Sequence, residues 1–574
     1  MPVHNADIAA LFTEIAELLE IQGANPFRIR AYRNAALTIR EFGRDLAAMI
    51  RSGETLPKIS GIGEDLSRKI REIATTGHCS LLDRLHKELP VTVTELLKVP
   101  GLGPKRVRAL YEELHVQDIA SLRSAAEHGR IQALAGFGAK TEQRILDALR
   151  THGAHEQRVQ RALAAQYAEP LADALRRTRG VGSVDIAGSY RRCKETVGDI
   201  DILVTAPSGD AVMHRFTTYD EVQQVLSQGD TRATAILHNG LQVDLRVVAA
   251  KSHGAALTYF TGSKAHNIVL RKRARRRGLK LNEYGVFRGD ERIAGKTEAS
   301  VYKALGLPWI PPELRENHGE IEWAERAALP GLVTRADLHG DLHCHTRASD
   351  GHATLQQMAE AASALGHDYL AITEHSQRLT AAHGLTAERL LKQIDAIDRV
   401  NDSLDGLTLL KGIEVDILED GSLDLPDDVL GRLDLVVGSV HSAFDLSRAR
   451  QTRRLLKAMD HPHFTLLGHP TAREIGKRPP IQADWLRVIR NARQRGCFVE
   501  LNGQPKRLDL TDTLCHMARD EGVLVAISSD AHSVQGLDNL EWGVGQARRG
   551  WLSADGVLNS RSLRRLRPLL RQTM

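Results

Sequence analysis

Residues 188–204 of this 574-residue chain read GSYRRCKETVGDIDILV, from Gly188 to Val204. Along an extended strand successive side chains point to opposite faces, so Asp199 and Asp201 lie on one face while the intervening isoleucine enters the core. Two carboxylates this close repel each other unless cations lie between them. The segment therefore predicts a strand that carries a metal site on one face.

A second β-branched run, residues 241–248 with the sequence LQVDLRVV, places a lone Asp244 in an apolar setting. Three carboxylates would hold two Mg²⁺ or Mn²⁺ ions about 3.5–4 Å apart, one activating an attacking hydroxyl and the other stabilising the leaving pyrophosphate. This is the chemistry of nucleotidyl transfer. We therefore expect Asp199, Asp201 and Asp244 to be the catalytic metal ligands.

A pair of aspartates with this spacing is common on strands that have no catalytic role, so the neighbouring residues matter. Gly188 and Ser189 form a turn whose backbone and hydroxyl can cradle a phosphate. Arg191 and Arg192 follow as candidate triphosphate clamps. A phosphate-binding turn beside paired aspartates favours nucleotidyl transfer over a purely structural strand.

The pattern GS-x-R-R-x5-GD-x-D resembles the palm of the family X DNA polymerases, the group of polymerase beta. The resemblance continues in family order with YFTGS at residues 259–263 and LNEY at residues 281–284. One departure is Cys193, where polymerase beta has glycine; it concerns the turn and not the metal ligands. The resemblance implies that deoxynucleoside triphosphate is bound by Gly188, Ser189, Arg192, Gly198, Tyr259, Phe260, Gly262, Asn267 and Arg271, with the aromatic pair near the sugar.

Composition sets broad bounds on the protein. The length predicts several domains, each with its own core, and 42% hydrophobic residues are typical of a globular chain. The net charge of +5 says little about nucleic acid, but residues 271–277 read RKRARRR, with six cations in seven positions. An isolated run of this kind is usually a solvated helix face. Beside the predicted site, we expect it to face DNA phosphates or the incoming nucleotide.

Cysteine usage and hydropathy bear on the compartment. The five cysteines are odd in number and include no C-x-x-C pair, so they predict neither a disulfide framework nor a zinc knuckle and fit a reducing environment. No apolar run approaches the roughly 18 residues of a membrane span, and the N-terminus lacks a charged-then-apolar signal. We expect a cytoplasmic protein with no membrane partner.

The N-terminal region is predicted to be helical and to contain three related turns: ISGIG at residues 59–63, VPGLG at 99–103 and LAGFG at 134–138. In each, the glycines permit positive φ and close approach, and free N–H groups at the start of the next helix can face a phosphate. One such turn is often merely structural, but three copies resemble the helix-hairpin-helix. They predict a sequence-independent grip on the DNA backbone through Gly61, Gly63, Gly101, Gly103, Gly136 and Gly138.

The family resemblance also concerns Lys69. In the family the first helical bundle binds the 5′-phosphate of gapped DNA, and in some members it carries a Schiff-base lysine. Alignment on Gly61 and Gly63 puts Lys69 at that lysine's position. Asp65, where polymerase beta has lysine, would keep the amine protonated and repel a phosphate. Lys69 is therefore either a catalytic lyase residue or an ordinary helix charge.

From about residue 336 the pattern changes to seven short apolar runs, each followed by a mostly helical stretch. This rhythm predicts a (β/α) barrel of buried parallel strands, whose carboxyl ends are where barrel enzymes place their chemistry. A single histidine after a strand is usually structural. Here six of the seven runs end in residue types that bind metals, which favours a metal centre.

The motifs HCHTRASDG, TEHS, GIEVD, GSVHS, GHP and SSDAH resemble the polymerase and histidinol phosphatase (PHP) domain. The resemblance implies nine metal ligands and up to three ions, for which this mixed donor set suits Mn²⁺ or Zn²⁺ better than Mg²⁺. It assigns the first ion to His343, His345, Glu414 and Asp530. It assigns the second to Glu414, His441 and His469, and the third to Asp350, His375 and His532. Such a cluster activates water for phosphodiester hydrolysis.

We therefore predict a multidomain α/β protein with N-terminal helical helix-hairpin-helix domains, a polymerase beta-like α+β nucleotidyltransferase palm and a C-terminal distorted (β/α)7 barrel. Residues 1–85 are expected to form the 5′-phosphate and gap-binding domain and 86–150 a helix-hairpin-helix subdomain. The other expected divisions are the catalytic palm at 151–250, the nucleotide-selecting subdomain at 251–318, a linker at 319–335 and the PHP domain at 336–574.

The resemblance implies a monomeric, template-directed DNA polymerase that fills short gaps in base excision repair. Its partners would be deoxynucleoside triphosphates and gapped or nicked double-stranded DNA with a 5′-phosphate. The barrel would act as a metal-dependent 3′→5′ exonuclease and also cut at abasic sites. One alternative is an untemplated nucleotidyltransferase, which the helix-hairpin-helix repeats and YFTGS disfavour. The other is a DNA-binding module fused to a small-molecule phosphoesterase, against which the intact aspartates argue.

Overall fold

A computed structural model describes residues 5–41, 46–51, 62–89, 91–99, 102–134, 136–138, 141–146, 149, 158–326 and 328–572. The chain forms two compact units, Met1–Gln157 and Arg158–Met574. Gly61 and Gly101 of the predicted DNA-binding turns lie outside the described residues. No described helix is both long and apolar enough to cross a membrane.

The first unit is helical where it is described. Its apolar residues form one cluster, in which the rings of Phe12 and Tyr32 meet edge to face at 5.4 Å. This cluster spans the predicted division at residue 85, and the finer division of the chain into six segments stays a prediction. The α-helices are Asn5–Ile21, Pro26–Glu41, Leu46–Arg51, Glu64–Thr76, Ser80–Glu88, Pro104–Leu114 and Ile119–Glu127, and the 3₁₀ helices are Val91–Lys98 and Ile131–Ala133.

The second unit begins with the palm, a five-stranded sheet with helices Arg161–Arg176 and Asp210–Thr217 and the short turn of helix Gly188–Arg191. The second and third strands in sheet order run parallel, and the remaining three neighbouring pairs are antiparallel. In sheet order the strands are Ser183–Ile186, Asp199–Thr205, Gln242–Val248, Arg232–Leu237 and Val222–Gln228. Short strands Val159–Gln160 and Thr196–Val197 pair separately.

A smaller subdomain follows the palm. Its core surrounds the fully buried Arg315, whose guanidinium donates to Glu298 Oε1 at 2.7 Å. Its α-helices are His253–Thr261, Lys264–Arg276, Glu298–Ala304 and Glu320–Glu325, and its 3₁₀ helices are Ala250–Ser252 and Pro312–Leu314. Its three antiparallel strands are Lys280–Asn282, Gly285–Arg288 and Glu291–Ala294.

The C-terminal part is a seven-stranded parallel sheet in which the strands follow sequence order. A parallel bridge between Cys344 and Ala531 links the first strand's end to the last and nearly closes the barrel. The strands are Gly340–Asp341, Tyr369–His375, Thr408–Asp416, Leu435–Ser439, Leu466–Leu467, Phe498–Asn502 and Val525–Ser528.

Helices cover the outside of this sheet, as the alternating pattern predicts. The α-helices are Leu355–Ala364, Ala387–Asn401, Asp427–Leu430, Arg448–Met459, Trp485–Arg495, Asp512–Asp520, Leu540–Arg549 and Leu563–Arg571. The 3₁₀ helices are Arg335–Asp337, Thr380–Ala382, Val534–Asn539, Ala554–Gly556 and Leu558–Ser560. The predicted fold class, with a helical N-terminus, a palm and a seven-stranded barrel, is confirmed.

Candidate active sites

The palm brings the three predicted carboxylates together at one end of its parallel strand pair. Asp201 lies opposite Asp244 in the ladder, and Asp199 precedes Asp201 on the same face. Asp244 is fixed by hydrogen bonds from Thr234 Oγ1 at 2.6 Å and Gln242 Nε2 at 2.7 Å. Two strands with alternating burial therefore place three acids side by side, as the sequence predicted.

The electrostatics of this cluster suit divalent cations. Burial, and then the negative charges of Asp199 and Asp244, raise the pKa of Asp201 to about 7. Each ionised carboxylate makes the next harder to ionise, and a bound cation relieves that repulsion. A donor set made only of carboxylates is one that Mg²⁺ or Mn²⁺ prefers.

The Gly188–Ser189 turn lies directly against this cluster. Gly188 has φ of 60°, and a Cβ atom there would lie 2.3 Å from Asp201 Oδ2, so only glycine fits. The Ser189 hydroxyl is buried and has no hydrogen-bond partner in the described parts of the chain. A buried hydroxyl without a partner is costly, which points to a ligand that accepts its hydrogen bond.

The two neighbouring arginines have different environments. Arg191 donates through both terminal nitrogens to Glu298, at 2.9 and 2.8 Å, and so ties the palm to the next subdomain. Arg192 donates through Nε to Glu316 Oε1 at 3.0 Å and through Nη1 to the Thr261 carbonyl at 2.5 Å. Arg192 lines the cavity beside the aspartates, whereas Arg191 belongs to a structural ion pair.

The cavity has a volume of about 950 Å³ and contains most of the predicted nucleotide-binding residues. Asp199 and Asp201 line it together with Gly188, Ser189, Arg192, Tyr259, Phe260, Gly262, Asn267 and Arg271. Gly198 is not among its lining residues. The opposite wall comes from the barrel, through Arg473, Thr511, Asp512, Thr513, Gln546 and Arg549.

The aromatic pair on the cavity wall, Tyr259 and Phe260, is positioned by contacts with Arg246 and Asn267. The rings of Tyr259 and Phe260 meet edge to face at 5.1 Å, and the Arg246 guanidinium lies 4.6 Å from the Phe260 ring. Asn267 donates to the Tyr259 carbonyl at 2.7 Å. These contacts fix a rigid apolar surface beside the charged part of the cavity.

The basic run at residues 271–277 lies at the end of helix Lys264–Arg276 and beyond it. Arg271 faces the cavity. Arg273 is engaged by Glu325 and by the Leu305 carbonyl at 2.7 Å. The other cations of the run are exposed and are available to a polyanion.

In the barrel, all nine predicted ligands gather at or near the carboxyl ends of the strands. Ligand atoms within 4.8 Å of one another define three overlapping groups. The groups are His345, Asp350, His375 and His532; His343, His345 and Asp530; and His375, Glu414 and His441. His469 joins them through Glu414 Oε1 at 2.8 Å from its Nε2. Here His345 lies with the third predicted set as well as with the first.

Several ring nitrogens of this cluster face carboxylates without forming hydrogen bonds among the described residues. His343 Nε2 and both ring nitrogens of His345 are buried and make no hydrogen bond to a described residue. The Nε2 atoms of these two histidines lie between 3.2 and 3.8 Å from carboxylate oxygens of Glu414 and Asp530. Buried imidazoles facing buried carboxylates in this way fit a site that binds cations.

Two acids behind the cluster orient its imidazoles. Glu500 Oε1 lies 2.7 Å from His343 Nδ1, and Asp416 Oδ1 lies 2.6 Å from His441 Nδ1. Each contact leaves the Nε2 atom facing the cluster and raises the basicity of the ring. The sequence interpretation missed both acids, although each lies on a barrel strand close to a predicted ligand.

In the helical unit, Gly63 and Gly103 immediately precede the helices Glu64–Thr76 and Pro104–Leu114. A Cβ atom at either glycine, or at Gly136 or Gly138, would meet no atom within 4 Å, so the backbone is open to a close approach. The first helix carries two acids in its first turn and the second carries none. Since a helix N-terminus attracts anions and nearby carboxylates repel them, the second of these helix starts is electrostatically the more favourable for an anion.

Lys69 lies on the first of these helices, and Asp65 lies one turn before it. Its Nζ atom is 2.6 Å from Asp65 Oδ2, and 14% of its side chain is exposed. The ion pair that the sequence suggested is therefore formed. Whether Lys69 is a nucleophile stays a prediction.

The chain matches five protein families. They are a helix-hairpin-helix domain at residues 3–79, a SAM-like helix-hairpin-helix tandem at 93–151, the DNA polymerase beta palm at 158–277, the DNA polymerase beta thumb at 256–316 and the PHP domain at 341–503.

Three curated relatives illustrate the similarity. "DNA polymerase/3′-5′ exonuclease PolX" of Bacillus subtilis is 38% identical over 574 residues, which cover 99% of this chain and all of the relative. "DNA polymerase lambda" of Rattus norvegicus is 28% identical over 347 residues, 54% of this chain and 56% of the relative. A "Probable phosphatase" of Acetivibrio thermocellus is 32% identical over 202 residues, 33% of this chain and 78% of the relative.

Proposed function

This chain belongs to the family X DNA polymerases with a C-terminal PHP domain, and we propose that it fills short gaps during base excision repair. The observation that carries the proposal is one cavity lined by Asp199, Asp201, Ser189 and Arg192, in which the buried Ser189 hydroxyl has no partner among the described residues. It combines sites for metal ions and for a triphosphate, which template-directed nucleotide addition requires.

In the palm, Asp199, Asp201 and Asp244 would hold two Mg²⁺ or Mn²⁺ ions. Such ions, when bound, promote attack by a primer hydroxyl and neutralise the leaving pyrophosphate. The chain's own residues position the nucleotide. Ser189 donates to a triphosphate oxygen, and Arg192 places a planar guanidinium against charge that grows in the transition state.

The remaining cavity residues orient the nucleoside. The rigid pair of Tyr259 and Phe260 lies against the sugar, and Asn267 holds the Tyr259 carbonyl in place. Gly262 leaves room for Arg192, because a Cβ atom there would lie 3.1 Å from Arg192 Nη1. Arg271 and the exposed cations beyond it face the phosphates of the DNA.

In the barrel, the nine ligands would hold up to three Mn²⁺ or Zn²⁺ ions. Ions in such a cluster supply an activated water and neutralise a phosphodiester under attack. Glu500 and Asp416 keep His343 and His441 turned toward the cluster. The barrel shortens DNA from the 3′ end, and the same chemistry extends to cleavage at abasic sites.

The DNA partner is a gapped or nicked duplex with a 5′-phosphate, gripped by the helix-hairpin-helix turns, and the protein acts as a monomer in the cytoplasm. The turn at Gly103 supports the grip on the DNA backbone, since its helix opens without an acid in the first turn. The 5′-phosphate itself is assigned to the first helical domain, at the turn with Gly61 and Gly63. Comparison of a one-nucleotide gap with and without the 5′-phosphate, at matched salt, tests the contact. Equal affinity for the two duplexes would count against it, because phosphate contacts are salt-sensitive.

One assay separates the proposed function from its rivals. On a one-nucleotide gap with Mn²⁺, the protein should add one templated nucleotide when triphosphates are present and shorten the 3′ end when they are absent. Equal extension of an unpaired primer would identify an untemplated transferase. The relatives named as phosphatases match the barrel, so a phosphomonoester is the control substrate. Its hydrolysis without loss of DNA ends would identify a small-molecule phosphoesterase.

A further inference from the structure

The barrel contributes a buried arginine to the nucleotide cavity of the palm. Arg549 ends helix Leu540–Arg549 of the barrel and lines the cavity, and only 4% of its side chain is exposed. None of the barrel's metal ligands contacts it among the hydrogen bonds of the described residues. Its hydrogen bonds therefore lie away from the barrel's metal ligands and at the nucleotide cavity.

Arg549 makes three hydrogen bonds, two to residues outside the barrel and one within it. Its Nη1 atom donates to the Arg192 carbonyl at 2.9 Å and to Glu316 Oε1 at 3.0 Å. Its Nη2 atom donates to Asp512 Oδ2 at 2.6 Å, within the barrel. Glu316 Oε1 is the same atom that accepts from Arg192 Nε, so two arginines share one carboxylate oxygen.

We propose that Arg549 is a positioning residue for nucleotide binding, which acts by sharing Glu316 with Arg192. This inference rests on the proposed function, in which Arg192 binds the triphosphate. Glu316 competes with the triphosphate for the Arg192 guanidinium. By holding the same oxygen, Arg549 weakens that competition and leaves Arg192 free to turn toward the nucleotide.

The local charges support this role. Three cations and two carboxylates form one set of ion pairs at this part of the cavity wall, with a net charge of +1: Arg192, Lys194, Arg549, Glu316 and Asp512. Without Arg549 the same groups sum to zero, and Asp512 loses its partner beside the incoming anion. Arg192, Glu316 and Arg549 are each at most 12% exposed, so solvent screens the interactions among these three side chains only weakly. A triphosphate bound by Arg192 therefore feels the loss of Arg549.

Arg548 provides a matched control, because it is the preceding residue on the same helix. Its Nε atom donates to Glu313 Oε1 at 2.6 Å and therefore also joins the barrel to the palm side of the molecule. Arg548 does not line the cavity. If these arginines only stabilised the packing of the domains, loss of either one should affect nucleotide binding similarly. If Arg549 controls Arg192, only the loss of Arg549 should affect it.

The test measures KM and kcat for deoxynucleotide on a one-nucleotide gap. Arg549→Ala should raise KM roughly tenfold, the effect of losing one charge-assisted hydrogen bond, with a smaller change in kcat. Arg548→Ala should leave KM within error of wild type. The double variant Arg549→Ala/Glu316→Gln should bring KM most of the way back to wild type, because the neutral amide competes for Arg192 much less than the carboxylate does.

Three results would overturn the proposal: an unchanged KM in Arg549→Ala, an equal rise in Arg548→Ala, or no recovery in the double variant.

Arg192→Ala distinguishes a failure of the proposed triphosphate site from a failure of the role given to Arg549. If it leaves KM unchanged, the proposed triphosphate site fails and this inference fails with it; if it raises KM while Arg549→Ala does not, this inference alone fails. Should Arg549→Ala unfold, Arg549→Lys replaces it, since one ammonium cannot span Glu316 and Asp512 from separate nitrogens, and a normal KM would overturn the proposal.

Discussion

Asp201 lies directly opposite Asp244 in the parallel ladder at the centre of the palm sheet. Like charges placed opposite each other destabilise a sheet, and burial adds to the cost of ionising Asp201, whose pKa is raised to about 7. The palm therefore keeps a local repulsion at the site where it must bind cations. This pair of carboxylates therefore lowers the stability of the metal-free fold and at the same time favours the binding of a cation.

The first prediction follows from this pair. In protein treated with a chelator, Asp201→Asn should raise the free energy of unfolding at pH 8 by about 1–3 kcal/mol, because one of the opposed charges is gone. Thermal or urea unfolding measures it. Mg²⁺ should stabilise wild type more than the variant. Asp230→Asn, an exposed carboxylate of the same domain, is the control and should change neither value; an Asp201→Asn protein less stable than wild type would contradict the account.

A second prediction compares the adjacent arginines. Arg191→Ala removes a partner from the buried Glu298 and should lower the free energy of unfolding by about 1–3 kcal/mol. Arg192→Ala should lower stability less, because Glu316 keeps its hydrogen bond from Arg549, and should instead raise KM for deoxynucleotide and slow nucleotide addition. Unfolding curves and steady-state kinetics on the same two proteins separate the roles. If Arg191→Ala raised KM and Arg192→Ala caused the larger loss of stability, the structural and nucleotide-binding roles given to the two arginines would be wrong.

Glu298 gives a third prediction, on acid stability. Burial alone would raise its pKa, but the hydrogen bond from Arg191 and the charge of Arg315 hold the pKa well below its ordinary range. A carboxyl group of this kind stabilises the fold fully above its unfolded pKa of about 4.3 and progressively less as the pH falls. Wild type should therefore lose more stability between pH 6 and pH 3 than Glu298→Gln, whose curve lacks this contribution. Equal losses of unfolding free energy in the two proteins over this pH range would contradict the role given to Glu298.

Local periodicity was sufficient to predict the residues that lie on strands. Alternation along residues 199–202 predicted which side chains face the site. Metal-binding residue types at the ends of six of the seven barrel runs predicted a metal centre, whereas the full set of nine ligands came from the resemblance to the PHP domain. Arg549 could not be found in this way. It lies more than three hundred positions after Arg192 in the sequence, and its neighbours show no pattern that distinguishes it from Arg548. Contacts of this kind depend on how domains pack, which no local pattern records.

A fourth prediction concerns the independence of the two metal sites. Asp201→Ala should lower nucleotide addition by orders of magnitude while 3′-end shortening continues, because the barrel ligands are untouched. Asp530→Ala should have the reverse effect, since loss of one ligand from a shared cluster sharply lowers metal affinity. Both reactions are measured on each variant with one gapped duplex and Mn²⁺, and circular dichroism checks the fold. Loss of shortening in folded Asp201→Ala would assign degradation to the palm.

The final prediction concerns Lys69, whose amine is held by Asp65 at 2.6 Å. An ammonium in an ion pair has no lone pair to attack an abasic sugar, so trapping of a Schiff base by borohydride should be weak in wild type. Asp65→Ala should increase the trapped fraction, because the amine is released from its partner. Asp65→Glu is the matched control and should behave like wild type, since it restores the negative charge one turn before the lysine.

Lys69→Ala decides the identity of the nucleophile. If Lys69 attacks the sugar, the trapped adduct should disappear in Lys69→Ala and in the double variant Asp65→Ala/Lys69→Ala. An adduct that persists in both would come from another amine, and Lys69 would then be a structural charge that pairs with Asp65. An adduct that Asp65→Ala leaves unchanged would show that the ion pair opens freely, as an interaction with a 60% exposed carboxylate easily can.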